Sequence, residues 1–259
     1  MTALITGASS GIGKDIAYIL ANLKYDLVLV ARSGNKLNKI KHELEEKYQI
    51  KVINIIIDLS LSESPEIILK VIKDYNITID ILINNAGYGI NNYFKDIPFE
   101  KENAMLQLLI NNQIHLTKLF LPGMIEKKSG YILNVSSTAA FQPTPTYSSY
   151  AASKAFTLSF SGALGYELKK HNIHVCVLCP GFTKTGFQEA SDHKKLSSIS
   201  KATMMSSQKV AQIAINKMFK KKKVIIPGLF NKFGALMTRF LPIPLLAKLA
   251  FGVVGFGKK

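Results

Sequence analysis

The chain has 259 residues, 47% of them hydrophobic and 19% charged, which argues against a disordered polymer and is enough for one large domain. Two cysteines exclude a dense disulfide framework and fit a reducing compartment. The net charge of +16 is lopsided: 14 Lys and Arg but no Asp or Glu follow Asp192, so an acidic partner (a lipid surface, a nucleic acid or an acidic ligand) would meet the C-terminal quarter.

The apolar patterning predicts alternating strands and helices. Ala3–Thr6 reads as a strand, followed by a glycine-rich turn and a helix over Ile12–Leu23. Asp26–Ala31 and Lys51–Ile57 read as strands around a charged amphipathic helix, Lys36–Tyr48. A helix over Glu66–Tyr75, a strand at Ile79–Ile83 and a helix near Phe99–Leu121 follow. Strand Tyr131–Val135, helix Tyr150–Lys169 and strand His174–Leu178 complete the pattern. The strands are near-continuous Val/Ile/Leu runs, as strands buried on both faces require, so the expected fold is α/β, a doubly wound parallel sheet of Rossmann type. Residues 1–225 are expected to form a single domain, with 226–259 as a basic, apolar extension. The N-terminus lacks a basic stretch leading into a long apolar segment, and no run of about 18 apolar residues occurs, so neither a signal peptide nor a membrane span is expected. The expected location is the cytoplasm.

Residues 6–13, TGASSGIG, link the first strand to the first helix. Gly7, Gly11 and Gly13 permit a tight turn, close approach of a phosphate and close packing of helix on strand. The helix N-terminus then offers free N–H groups to an anion. The second strand ends in VLVARSG, with Arg32 where an NAD site usually carries an acid. A cation there favours a 2′-phosphate, hence NADP(H) over NAD(H).

Four stretches together resemble the classical short-chain dehydrogenase/reductase family: TGASSGIG, NNAG at 84–87, Ser137 with YAASK at 150–154, and PGFTKT at 180–185. Their order and spacing match over residues 2 to 225. The stretches LTKLFLPGM at 116–124 and VIIPGL at 224–229 are most similar to DltE-type NAD(P)-dependent oxidoreductases. The resemblance implies a Rossmann fold that moves hydride between a nicotinamide and a carbonyl or alcohol carbon, and a homo-oligomer. It implies that Gly7, Ser9, Ser10, Gly11, Ile12 and Gly13 line the cofactor phosphates and that Asp58 bonds the adenine. Asn85, Ala86 and Gly87 would follow the adenosine ribose, and Pro180 to Thr185 would border the nicotinamide.

The chemistry agrees with this reading. Reduction of a carbonyl needs a proton donor tuned toward the working pH, and a tyrosine, near 10 when free, needs a nearby cation to lower it. In YSSYAASK, Tyr150 has Lys154 at i+4, on the same helical face, whereas Tyr147 has Ala151. Tyr150 is therefore the expected proton donor, with Lys154 lowering its pKa and holding the nicotinamide ribose. Tyr147 is expected in a substrate-facing loop. Ser137, 13 residues upstream at a strand end, is placed by the family pattern to polarise the substrate oxygen. One position departs from the family. Where an asparagine normally supports a water beside the lysine, this chain has Leu109, in LQLLINNQIHLT. Asn112, one turn on, is the candidate substitute.

Two clusters are read as structural. His171, His174, Cys176 and Cys179 have metal-ligand residue types, but they run into a buried strand whose side chains alternate, so core packing is expected and no metal. Lys220–Lys223 reads as a solvated turn before a strand, and no nucleic-acid partner is expected. In the tail, Phe230, Phe233, Leu236, Met237 and Phe240 recur at helical spacing with Lys232 and Arg239 between them. Three roles stay open for it: a lid over an apolar pocket, an oligomer contact, or a peripheral membrane-interface segment. The expected function is an NADPH-dependent carbonyl reductase or alcohol dehydrogenase acting on a hydrophobic small molecule. The alternative, motivated by Leu109, is a catalytically impaired nucleotide-binding scaffold or sensor.

Overall fold

The computed structural model describes residues 1–187, 191 and 198–254. Strands β1 (Thr2–Thr6), β2 (Asp26–Ala31), β3 (Val52–Ile56), β4 (Ile79–Asn84), β5 (Gly130–Val135) and β6 (Ile173–Leu178) alternate with helices. These are α1 (Gly11–Asn22), α2 (Gly34–Tyr48), α3 (Ser64–Asp74), α4 (Phe99–Leu106), α5 (Asn112–Lys127) and α6 (Ser148–Glu167). Then come β7 (Thr183–Lys184), α7 (Ser198–Ala202), β8 (Met205–Ser206), α8 (Ser207–Phe219), β9 (Val224–Ile225), α9 (Leu229–Met237) and α10 (Ile243–Val254).

Among the described residues, seven strands form one sheet in the order β3-β2-β1-β4-β5-β6-β9. Every neighbouring pair is parallel. This is the expected Rossmann-type α/β fold. Alternation along the strands divides the core. Ala3, Ile5, Leu27, Leu29, Ile81 and Ile83 face α1, α2 and α8. Leu4, Val28, Val30, Leu82 and Ile132 face the other way, against Leu116 and Phe120 of α5 and Leu164 of α6. Both faces are dry, which is why the strands read as unbroken apolar runs. The strand order reverses between β1 and β4, so the loops leaving these strands diverge and open a crevice at the carboxyl edge of the sheet.

Two differences from the sequence-based expectation have physical causes. The helix expected over 99–121 is interrupted by a π-helical turn, Gln107–Asn111, and continues through Pro122 to Lys127. Pro122 removes one backbone donor, but burial of Phe120 and Met124 on either side keeps α5 seated on the sheet. Beyond 206, α8 covers the face over α1, and β9 extends the sheet by pairing Val224 and Ile225 with Val177 and Leu178. Lys220–Lys223 forms the expected exposed turn before this strand, with Lys221 in the left-handed region at φ 54°. Cys176 packs in the core from β6, and Cys179, just past the strand, donates its N–H to Ile225 O at 2.8 Å. Among the described residues, no helix is long and apolar enough to cross a membrane.

Candidate active site

The crevice is a cleft of about 790 Å³. At one end lies the glycine turn. Gly7 has φ +66°, which a side chain would strain, and its N–H donates to Val30 O at 2.8 Å. A Cβ at Gly13 would run into Asn85 Nδ2 and into the Gly7 carbonyl oxygen, the latter at 2.5 Å. Thr6 ties the turn to the loop after β4. Its hydroxyl donates to Ile83 O (3.2 Å) and accepts from the N–H groups of Asn85 (2.9 Å) and Ala86 (3.0 Å). Asn85 returns the contact through Nδ2 to Thr6 O at 2.9 Å. Gly7, Ser9, Ser10, Gly11 and Ile12 line the cleft, as do Asn85, Ala86 and Gly87. Gly13 lies beneath it as a packing position. Ser10 precedes α1 without a side-chain cap, so the first-turn N–H groups lack a side-chain partner and point out of the helix start.

Arg32 and Asp58, just past the ends of β2 and β3, meet at 3.5 Å, with the Arg32 side chain 70% exposed. Burial raises the Asp58 pKa, but bonds from Ser60 and the Arg32 charge outweigh it and hold the carboxyl below its usual value. Lys36, one turn into α2, also lines this end. Sequence reading passed over it, although it stands at i+4 from Arg32 and is the first cation after it.

The opposite end gathers Ser137, Tyr150 and Lys154, with Pro180 and Thr185 along the same wall. Ser137 leaves β5 and accepts from Ala139 N at 3.1 Å, so it caps a short turn while its hydroxyl meets the Tyr150 phenol. Ser136 donates to Lys154 O at 2.7 Å, which pins α6 to the end of β5 and fixes the two side chains against Ser137. Lys154 Nζ donates to Val135 O at 2.8 Å and sits 5.6 Å from the Tyr150 ring centre. The expectation that Lys154 lowers the Tyr150 pKa is not met. Burial raises the phenol, with Ser137 opposing. Burial likewise pulls the Lys154 ammonium down to about 8. The reason is geometric: the Lys154 ammonium is buried and committed to a backbone carbonyl, while Tyr150 is desolvated by its neighbours yet keeps partial exposure along the cleft.

Tyr147 lies at the start of α6 and lines the cleft, as expected, but it is buried, and its hydroxyl donates to Ser191 Oγ at 3.1 Å. Burial pushes its pKa up to about 12. Its ring meets Tyr150 edge-on at 5.7 Å, and Phe187 meets Tyr150 from 5.5 Å. Phe182, Ala250, Val253 and Val254 add an apolar wall, the last three from α10.

Leu109 is buried in the π turn, and its Cδ2 would lie 2.8 Å from a Cβ at Gly87. Asn112 does not substitute for the missing asparagine. Its Nδ2 donates to Leu59 O, to Leu61 O (3.1 Å) and to Ser64 Oγ (3.0 Å), so it braces the connection between β3 and α3. The polar groups behind Lys154 are instead Gln113 and Asn84, which border a void of about 10 Å³ together with Lys154 and Leu109. Asn84 bonds Asn134 Oδ1 at 2.9 Å, and Asn134 bonds Ser161 Oγ at 2.9 Å, linking β4, β5 and α6 beneath the site. No periodicity marks such a ladder in advance, because each member sits on a different element.

With this geometry in place, residues 1–196 match the short chain dehydrogenase family. A very-long-chain 3-oxoacyl-CoA reductase of Mus musculus is 30% identical over 266 residues, covering 99% of this chain and 79% of the relative. One from Phaeosphaeria nodorum is 36% identical over 186 residues, covering 68% of this chain and 53% of the relative. The match thus spans about half the length of that fungal protein. A solved short-chain dehydrogenase from Sphingobium yanoikuyae in complex with NADPH superposes with a TM-score of 0.80 at 30% identity, covering 92% of this chain and 93% of that one. The chain belongs to the short-chain dehydrogenase family of oxidoreductases.

Proposed function

We propose that the protein is an NADPH-dependent carbonyl reductase for lipophilic ketones, with 3-oxoacyl thioesters as the first class to test and alcohol oxidation as the reverse reaction. The observation that carries this is the meeting of Ser137, Tyr150 and Lys154 at one end of a cleft whose other end is the glycine turn. The residues present fit a dinucleotide: a side-chain-free turn at Gly7, an uncapped helix start and two cations, Arg32 and Lys36, at the far end. The Arg32–Asp58 pair is exposed and weak, about 1 kcal/mol or less, so Arg32 is free to turn to a 2′-phosphate. Bound there, the nicotinamide supplies the hydride. The chain does the rest. Ser137 donates a hydrogen bond to the substrate oxygen and polarises the carbonyl. Tyr150, held protonated by its buried setting, gives its proton to that oxygen as the carbon is reduced. Lys154, 5.6 Å from the Tyr150 ring centre, is the group proposed to hold the nicotinamide ribose. The walls from Phe182, Phe187 and α10 favour an apolar substrate over a sugar or a free acid.

The test is NADPH oxidation across lipophilic ketones and 3-oxoacyl thioesters. Tyr150→Phe should lower turnover by about 10² or more while NADPH still binds. Near-full activity in that variant refutes the assignment of the proton donor. Leu109 supports a second reading, a nucleotide-binding sensor, and tight NADPH binding without turnover on any substrate would favour it.

A further inference from the structure

In α9 the usual arrangement of a surface helix is turned over. Ala235 is buried, whereas Leu229, Phe233 and Leu236, at i, i+4 and i+7, face outward beside Phe230; Leu229 is 83% exposed and Phe233 63%. The connection to α10 continues the patch with Phe240 (71% exposed) and Ile243 (70%). In α10, Leu246, Ala250 and Val254 are buried, and Leu245 and Leu249 point outward. The inner face of α10 already lines the cleft through Ala250, Val253 and Val254. The outer face is therefore not the lid contact, and α10 stands as a wall between the cleft and whatever covers the patch.

Exposed apolar side chains recurring along two successive helices mark an interaction surface. We propose that this face docks on an anionic lipid surface, with α9 and α10 lying in the interface plane. Charge decides the occupant. Lys232, Arg239 and Lys248 are exposed among the apolar residues, and no Asp or Glu occurs anywhere after Asp192. An amphipathic face with cations and no anions is what an acidic headgroup layer attracts. A second copy of the chain would bring the same cations against each other. Docked in this way, the protein turns the α10 wall of its cleft toward the bilayer, where a lipophilic substrate is concentrated. The surface itself does not depend on the reductase reading.

The test is flotation of the full chain with vesicles of equimolar phosphatidylserine and phosphatidylcholine, and with phosphatidylcholine alone. Two variants accompany it: Phe230→Glu with Phe233→Glu, and Lys232→Glu with Arg239→Glu. All these positions are exposed, and NADPH binding reports that each variant is folded. The expected result is flotation on the anionic vesicles only, weakened about tenfold or more in both variants. No flotation, equal flotation on both vesicle types, or unchanged flotation of the Phe variant overturns the proposal. So does a dimer in sedimentation that the Phe variant dissociates without any vesicle binding; that outcome would assign the face to a second copy. Because flotation and NADPH binding require no turnover, failure here is distinguishable from failure of the reductase reading.

Discussion

Replacing Lys154 with Met separates what the site does from what it costs. Lys154 is 5% exposed, and its partner is a neutral carbonyl, Val135 O. Burial pulls its pKa from 10.5 to about 8, which corresponds to roughly 3 kcal/mol against the ammonium form. Below about pH 8 the native protein carries the proton and the penalty is present in full. From pH 8 to about 10.5 the unfolded chain holds the proton and the native protein does not, so stability rises with pH and the penalty fades. Met removes the penalty but leaves Val135 O without its donor, a loss of about 1 kcal/mol. The variant should therefore be more stable than the parent by about 2 kcal/mol near neutral pH and less stable by about 1 kcal/mol once the lysine is neutral in both states, above about pH 10.5. Urea unfolding of both proteins without cofactor, at neutral and at high pH, checks this, with turnover lost throughout. A difference that does not change with pH, or a variant already less stable at neutral pH, would refute the idea that Lys154 is an uncompensated buried charge.

Gly13→Ala drives a methyl into Asn85 and the Gly7 carbonyl oxygen; it should destabilise by roughly 1–3 kcal/mol and weaken NADPH binding, seen as a lower Tm and a raised Kd. An unchanged Tm would mean that the turn has slack the packing does not show. Arg32→Glu should raise the KM for NADPH about tenfold or more, leave kcat nearly unchanged and improve the use of NADH; equal losses with both cofactors would move 2′-phosphate recognition elsewhere. Burial pushes the Cys179 thiol up to about 12 and Cys176 higher still, so a thiol reagent at neutral pH should leave the native protein unmodified and titrate both free thiols after unfolding.

What the sequence made legible is what burial imposes on one element at a time. DLVLVA announces β2 because both of its faces are dry, and YAASK places Tyr150 and Lys154 on one face because a helix repeats near every fourth residue. The glycine turn is readable for a similar reason: Gly7 and Gly13 are demanded by φ and by contact with a neighbouring loop. The less legible features depend on several elements at once. The capture of Asn112 by the loop before α3 and the amide ladder from Asn84 to Ser161 join residues 27 to 53 positions apart, and the π turn carrying Leu109 breaks a helical pattern that looks continuous in the sequence. The tail shows the limit most clearly. Helical spacing of Phe230, Phe233 and Leu236 correctly predicts a shared face, but periodicity does not say which side of the helix meets water, and here the apolar side does.

The sign of the Tyr150 shift belongs to the same class of missed features, and it bears on direction. Spacing alone makes Lys154 a neighbour that lowers the phenol; in the folded chain desolvation raises it instead. A raised phenol is protonated at neutral pH, which is the form a reductase needs at the start of its cycle. Oxidation of an alcohol needs the opposite form, a phenolate able to accept a proton, and forming it here means ionising a buried group against its surroundings. The two directions should therefore separate with pH: ketone reduction should persist through neutral pH and fall only as the phenol ionises, while alcohol oxidation should climb with pH as the phenolate becomes populated. Identical pH profiles for the two directions would show that Tyr150 does not set the proton inventory of the site.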